Sequence, residues 1–266
     1  SILDSVLPLL QAATGVDFGE YKRPTLVRRI QRRILLSQAQ TAADYLKRLR
    51  DDPAELDGLF QDFLIHVTGF FRDPPLYDAL RTTHFPALLR KHSPELPLRV
   101  WVPGCATGEE AYSLAMTIMI AITMGTDTAA LQIFGTDLSE DAIQRARTGR
   151  YPAAIASLVS EDHLKRYFVE APGGGYQVSK VVRDVCVFAR HNMLADPPFF
   201  RLDIVSCLNV LIYLQPSLQK RLVPLYHYAL NTNGLLILGT SEVIADTDGY
   251  FKVADREHKV FIRVES

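Results

Sequence analysis

The sequence predicts an α/β protein. Its main body is a Rossmann-like, mostly parallel sheet covered by helices, with an all-helical subdomain before it and a small β insertion within it. Three observations predict this. From Arg99 onward, short β-type runs alternate with helical ones. Before Asp73 there is no strand pattern, and in mid-sheet a Pro172-Gly173-Gly174-Gly175 turn interrupts the alternation. With 266 residues the chain can bury one large core and carry a small appendage. The boundaries predicted are 1–73 for the helical subdomain, 74–266 for the sheet domain and about 151–190 for the insertion.

The helical part comes first. Leu26, Val27, Ile30 and Ile34 form one apolar helix face, with Pro24 suited to the first turn. Arg28, Arg29, Arg32 and Arg33 interleave with that stripe. A second helix is predicted over Ala42 to Arg50, broken by Asp51-Asp52-Pro53, and a third over Ala54 to His66. The predicted sheet strands are Arg99–Val102, Leu131–Thr136, Val185–Ala189, Asp203–Cys207 and Leu235–Gly239. Helices Glu109–Met124, Glu140–Thr148 and Pro216–Leu230 fall between them. Lys259–Val264 follows the fifth strand without a long helix, which permits an antiparallel final pair. Tyr176–Lys180 reads as a short strand of the insertion.

Composition excludes little but is consistent. Hydrophobic residues make up 48% and the formal net charge is −1, so global charge predicts neither a nucleic-acid nor a membrane partner. Charge is local instead: between Glu20 and Arg50 nine Lys or Arg face two acids. Cys105, Cys186 and Cys207 show no metal-ligand spacing, which points to reduced thiols in the cytoplasm and to no metal site. No apolar run approaches the roughly 20 residues that span a bilayer. The chain opens at Ser1 without a methionine, which is compatible with a domain of something longer.

Five segments carry candidate chemistry. In Arg99-Val-Trp-Val-Pro-Gly104-Cys-Ala-Thr-Gly108-Glu109-Glu110 a strand runs through a small-residue turn into a helix. Two acids in the first helical turn either simply favour the helix after a structural turn or, since they would repel a pyrophosphate, suit a cofactor with a cationic or hydroxyl-bearing part. Asp137, ending the second strand, either holds a ribose diol or caps the helix from Glu140, a task Ser139 can also do. Asn192, with Met193 after it, either reads an adenine edge or satisfies its own loop backbone. Asn209 and Val210 end the fourth strand, and Tyr213 follows either near the reacting groups or as a half-buried aromatic. His66-Val-Thr68-Gly-Phe70-Phe71-Arg72-Asp73 sits at the domain junction, and its bland reading is a surface Arg–Asp pair with two core phenylalanines.

Together these segments resemble the CheR family of chemotaxis receptor methyltransferases. The matching pieces, in order, are VTGFFRD, GCATGEEAYSLAM, GTDLSEDAIQRARTGRY, HNMLADPP and CLNVLIYL. The loops most resemble the CheR domain of hybrids that also carry the opposing methylesterase. The resemblance implies a methyltransferase-type Rossmann-like sheet, S-adenosylmethionine as cofactor, and glutamate carboxylates of methyl-accepting chemotaxis receptors as substrate. By position it implies cofactor contacts from His66, Thr68, Arg72, Glu110, Asp137, Asn192, Met193, Asn209 and Val210. It implies Arg72 and Tyr213 nearest the transferred methyl group. Two positions depart: His66 stands where an Asn is usual, and Leu208 where an Arg is usual. The stripe Arg28, Arg29, Arg32 and Arg33 would dock the receptor's acidic helical bundle, or else form a solvated basic face. The short Glu170–Tyr176 connection argues against tethering to a receptor C-terminal peptide.

Three competing readings accompany this one. A catalytically weak S-adenosylmethionine sensor or scaffold is motivated by His66 and Leu208. A dinucleotide oxidoreductase shares the strand–turn–helix grammar but is opposed by Glu109, Glu110 and the missing GxGxxG. A pure interaction module leaves the polar strand ends unexplained.

Overall fold

A computed structural model describes residues 1–125, 130–244 and 249–265. The chain divides into two compact units, Ser1–Ile65 with Leu211–Lys220, and His66–Val210 with Arg221–Ser266. Residues 66–73, grouped by the sequence with the helices, therefore cluster with the sheet. The reason is packing. Phe70 sits edge-on to Tyr151 and Phe168, at 4.8 and 5.3 Å, and the Phe71 N–H donates to Ser113 Oγ at 3.0 Å.

The first unit holds α1 (Ile2–Thr14), α2 (Arg23–Ser37), α3 (Ala42–Asp51) and α4 (Pro53–Phe63). Helix α1 has no counterpart in the prediction. It buries Leu3, Val6 and Leu10 along one face and ends at Gly15 in the left-handed region. Asp52 caps α4 by accepting from the Ala54 and Glu55 N–H groups, with Pro53 in the first turn. The basic helix α2 turns Leu26 and Ile30 inward, and its Arg33 makes a two-point ion pair with the buried Glu55, at 3.0 and 2.7 Å. Tyr45 donates to the same carboxylate at 2.9 Å. Gly58 leaves room for that guanidinium, since a Cβ there would lie 2.6 Å from Arg33 Nη2. Segment 211–220 joins this unit through an antiparallel bridge between Tyr21 and Leu214.

The second unit opens with α5 (Pro74–Ala79), a π-helical turn (Leu80–His84) and α6 (Phe85–Leu89), none of them predicted. Strand β1 (Leu98–Pro103), α7 (Glu109–Met124), β2 (Leu131–Asp137) and α8 (Glu140–Thr148) follow close to the predicted limits. Next come β3 (Arg150–Tyr151), α9 (Glu161–Tyr167), β4 (Phe168–Glu170), β5 (Tyr176–Val178) and α10 (Lys180–Arg183). Strands β3, β5 and β4 pair in that order as a separate antiparallel sheet, which is the expected insertion. The chain then returns to the main sheet as β6 (Cys186–Arg190) and β7 (Leu202–Cys207). Helix α11 (Pro216–Ala229), β8 (Leu230–Leu238), β9 (Phe251–Asp255) and β10 (Val260–Arg263) complete it.

The seven-stranded order is β6-β2-β1-β7-β8-β10-β9. Pairings from β6 through β8 are parallel, and β10 is antiparallel to both neighbours, as the short final connection permits. Strand β9 escaped prediction because only Phe251 of its five residues is buried, so it carries no apolar alternation. The order reverses between β1 and β7, and a crevice at the carboxyl ends of these strands is where such sheets bind ligands.

Candidate active site

Everything at this crevice described below belongs to the second unit. Strand β1 ends in a loop with three left-handed residues, Gly104 (φ 68°), Ala106 (φ 48°) and Gly108 (φ 97°). The close approach at Gly104 explains its identity, because a Cβ there would lie 2.7 Å from Val210 Cγ2. Asn209, at the end of β7, also takes a left-handed backbone (φ 57°), which an Asn tolerates better than most side chains. Across from it, a Cβ on Gly239 would meet the Asn209 N and Oδ1 at 3.1 Å. The ends of β1, β7 and β8 are thus drawn together by close contacts that leave little room for a Cβ at Gly104 or Gly239.

Asp137 is placed by β2. Its Oδ2 accepts the Ala106 N–H and its Oδ1 the Ser139 N–H, each at 2.9 Å. The cap of α8 is Ser139, whose side chain accepts from Ala142 N–H. Of the two roles open for Asp137, capping is therefore taken by its neighbour. Each Asp137 oxygen keeps a lone pair for a further donor. His66 Nε2 lies 3.7 Å from Asp137 Oδ1, is shielded from solvent, and has no hydrogen-bond partner among the described residues.

Glu110 in α7 is 7% exposed. Ser206 Oγ donates to its Oε1 at 2.8 Å. Burial pushes the Glu110 carboxyl well above the usual carboxylate range; the Ser206 hydrogen bond and Arg72 oppose this, and the nearby Glu242 adds to it. Burial likewise raises Glu109, against the Thr107 hydroxyl that donates to it. Glu242, 2% exposed, accepts the Gly239 N–H at 2.7 Å. Glu242 and Ser206 were missed by sequence reasoning. The only trace of Glu242 was an acid three residues past a strand end, and nothing marked Ser206 within its strand.

His191 N–H donates to the Asp137 carbonyl at 3.0 Å, which seats Asn192 and Met193 beside β2. The Asn192 side-chain carbonyl accepts its own Leu194 N–H at 3.0 Å, so the loop-satisfying reading accounts for that oxygen and leaves the amide group. Met193 Sδ accepts from Tyr226 Oη at 3.7 Å. Thr68 is half-buried, and Arg72 is exposed with one guanidinium N–H on the Val67 carbonyl at 2.8 Å. Tyr213 ends a 3-10 turn that clusters with the helical unit, where its carbonyl accepts the Lys22 N–H at 2.9 Å. Leu208 is half-buried and packs against the core with its apolar side chain.

The donor set fits S-adenosylmethionine. Glu109, Glu110, Asp137 and Glu242 gather acids where a cofactor carries an ammonium, a sulfonium and a ribose diol, and a pyrophosphate would be repelled. The shielded, unpartnered His66 Nε2 is a polar atom that a ligand hydroxyl can satisfy.

Comparison with known proteins agrees. A family model described as "CheR methyltransferase, SAM binding domain" matches residues 66–260, and "CheR methyltransferase, all-alpha domain" matches residues 3–64. An uncharacterized 104.1 kDa protein of Rhodobacter capsulatus is 39% identical over 97% of this chain, which spans only 27% of that relative's length. A chemotaxis protein methyltransferase of Listeria monocytogenes is 33% identical over 89% of this chain and 87% of its own. The Escherichia coli chemotaxis protein methyltransferase is 29% identical over 88% of this chain and 81% of its own. The chain belongs to the CheR methyltransferase family, with an all-α domain followed by an S-adenosylmethionine-binding domain.

Proposed function

We propose that this chain esterifies glutamate side chains on the cytoplasmic helical region of methyl-accepting chemotaxis receptors. The supporting observation is the gathering of Glu110, Asp137 and Asn209-Val210 around the Gly104–Gly108 loop, in a member of this family. When bound, S-adenosylmethionine supplies an electrophilic methyl group on a sulfonium. Glu110 would hold its ammonium, Asp137 its ribose, and Asn192-Met193 with Asn209-Val210 its adenine and methionine parts. His66 and Thr68 would close over it.

A glutamate acceptor is ionised near neutral pH, so the residues here need supply no general base. Their task is alignment of the carboxylate and exclusion of water, because charges are lost as the ester forms. Arg72 has one N–H spent on Val67 and four left, enough to hold one carboxylate oxygen and leave the other to attack. Tyr213 would orient the substrate.

Receptor docking falls to Arg28, Arg29 and Arg32. Arg33 is spent on Glu55, and Arg32 lies 3.3 Å from Asp62 with more than half its side chain exposed. Reversing the charge of Arg28 and Arg29 should lower receptor methylation at low salt. Unchanged methylation would leave the helix a solvated face. Among the described residues no helix is long and apolar enough to cross a membrane. The cytoplasmic placement is a proposal supported by three free cysteines and the receptor-facing role.

The test is transfer of labelled methyl from S-adenosylmethionine to receptor-containing membranes, counted as alkali-released methanol. We expect label with the parent and at least a hundredfold less with Arg72→Ala, while S-adenosylhomocysteine affinity changes much less. Binding of S-adenosylhomocysteine without label on any receptor would favour the sensor reading.

A further inference from the structure

At the opposite end of the sheet, where β1 and β7 begin, the second unit has a cleft of about 570 Å³. That volume lies in the range of small-molecule sites. We propose that this cleft binds a small organic oxyanion, a phosphate- or carboxylate-bearing molecule of about nucleotide size, independently of the cofactor crevice.

Its electrostatics point that way. The single acid lining it, Asp203, is consumed internally. Its Oδ2 accepts the Arg99 N–H at 2.9 Å, its Oδ1 accepts from Asn231 at 3.0 Å, and His92 Nε2 lies 3.5 Å away. Lys91 and Arg201 also line the cleft, and neither has an ion-pair partner among the described residues. Arg99 satisfies its guanidinium on the Phe200 carbonyl and lies over the Phe134 ring, so its charge is not neutralised either. Three cations around one consumed carboxylate favour an anion. Arginine and lysine together suit an oxyanion by fork and point charge.

The cleft is also built with care in its walls. His92, with its side chain 8% exposed, has a shielded Nδ1 lacking any hydrogen-bond partner among the described residues. Such an atom is destabilising unless a ligand or water completes it. Four residues of β8 stand against the single residue Asp203 of β7, between the pairs Leu202↔Leu230 and Ile204↔Leu235. This bulge carries Asn231, Thr232, Asn233 and Gly234 into the cleft wall. Arg201 (φ 55°) holds a left-handed backbone that its residue type disfavours, while Asn233 (φ 64°) takes one that an Asn tolerates. Strain of this kind concentrates at functional sites. Leu88, Leu96 and Pro97 supply an apolar wall for the body of the ligand.

The experiment is calorimetric titration of the whole chain with AMP, inorganic phosphate and citrate, with side-chain nitrogen NMR of His92. We expect submillimolar AMP binding, a shift of the His92 ring resonances, and at least tenfold weaker binding in K91Q/R201Q with S-adenosylhomocysteine affinity unchanged. AMP above citrate would identify a phosphate-borne oxyanion, and citrate above AMP a carboxylate-borne one. Should the double variant lose S-adenosylhomocysteine binding, K91Q alone, at an exposed side chain, should still weaken the probe at least threefold. If none of the three probes shifts His92, or if they bind the variants as tightly as the parent, the proposal is overturned.

Discussion

One glutamate in the helical unit, Glu55, and one in the sheet unit, Glu110, are each 7% exposed, and the two units treat them in opposite ways. Glu55 is answered within its own fold. Burial alone would raise its carboxyl, but hydrogen bonds from Arg33 and Tyr45 and the Arg33 charge bring it below the usual range. Glu110 has only neutral donors, the Ser206 hydroxyl and the Leu208 backbone N–H, and a second acid nearby, so burial leaves it raised. A fold that completes one carboxylate and leaves the other short of a cation separates structural charge from charge held for a ligand. The difference can be broken or sharpened experimentally.

The largest stability effect should come from the completed pair. Arg33→Met keeps the aliphatic stem but strands Glu55, and should cost about 3 kcal/mol in urea unfolding. Adding Glu55→Gln should return part of the loss. A cost below about 0.5 kcal/mol would mean that water already answers Glu55, and the contrast would collapse.

Glu110→Gln should do the reverse. It resembles the protonated acid, so the unliganded protein should keep its stability or gain slightly, while S-adenosylhomocysteine affinity falls at least tenfold, about 1.4 kcal/mol. Calorimetry and thermal unfolding on the same samples read both. Destabilisation as large as that of Arg33→Met would make Glu110 a structural acid.

The two glutamates also predict opposite pH slopes. Glu55 is depressed, so its contribution is present above the ordinary carboxylate value of about 4.3 and is lost as pH falls through its lowered value. Glu110 is raised, so its contribution is full below about 4.3 and is lost as pH rises through its raised value. Glu55→Gln should therefore flatten the acid side of the stability profile and Glu110→Gln the alkaline side. Pairing Glu110 with a bound ammonium should release a proton. Calorimetry in two buffers of different ionisation enthalpy would detect it, and buffer-independent enthalpies would argue against Glu110 as the ammonium's partner.

The contrast also explains what the sequence made legible. The helices Glu109–Met124 and Glu140–Thr148 were readable to the residue, since acids and Ser139 mark their starts and Gly125 and Gly149 their ends. The strand-end acids were readable as candidates because sheet order places strand ends together. Partners distant in sequence were not. Nothing local shows that Arg33 belongs to Glu55 while Arg28 and Arg29 do not, because that depends on α2 packing on α4. For the same reason Tyr213 was grouped with the sheet although its backbone bonds to Lys22. Helix α1 carried a readable ladder of Leu3, Val6 and Leu10 and was overlooked, whereas β9 offered one buried residue and little to read.

The smallest expected effect separates backbone from side chain at the crevice. Asn209 holds φ 57° where β7 turns toward the cofactor loop. Asn209→Gly should keep that conformation and cost only a few tenths of a kcal/mol, whereas Asn209→Ala should cost about 1 kcal/mol through left-handed strain. If both lower S-adenosylhomocysteine affinity equally, the lost amide is the cause and Asn209 acts through its side chain. If only the alanine variant does, Asn209 serves to turn the chain and bring Val210 against Gly104. The left-handed position would then be part of the fold's own accounting, as Glu55 is, rather than a group held for the ligand, as Glu110 is.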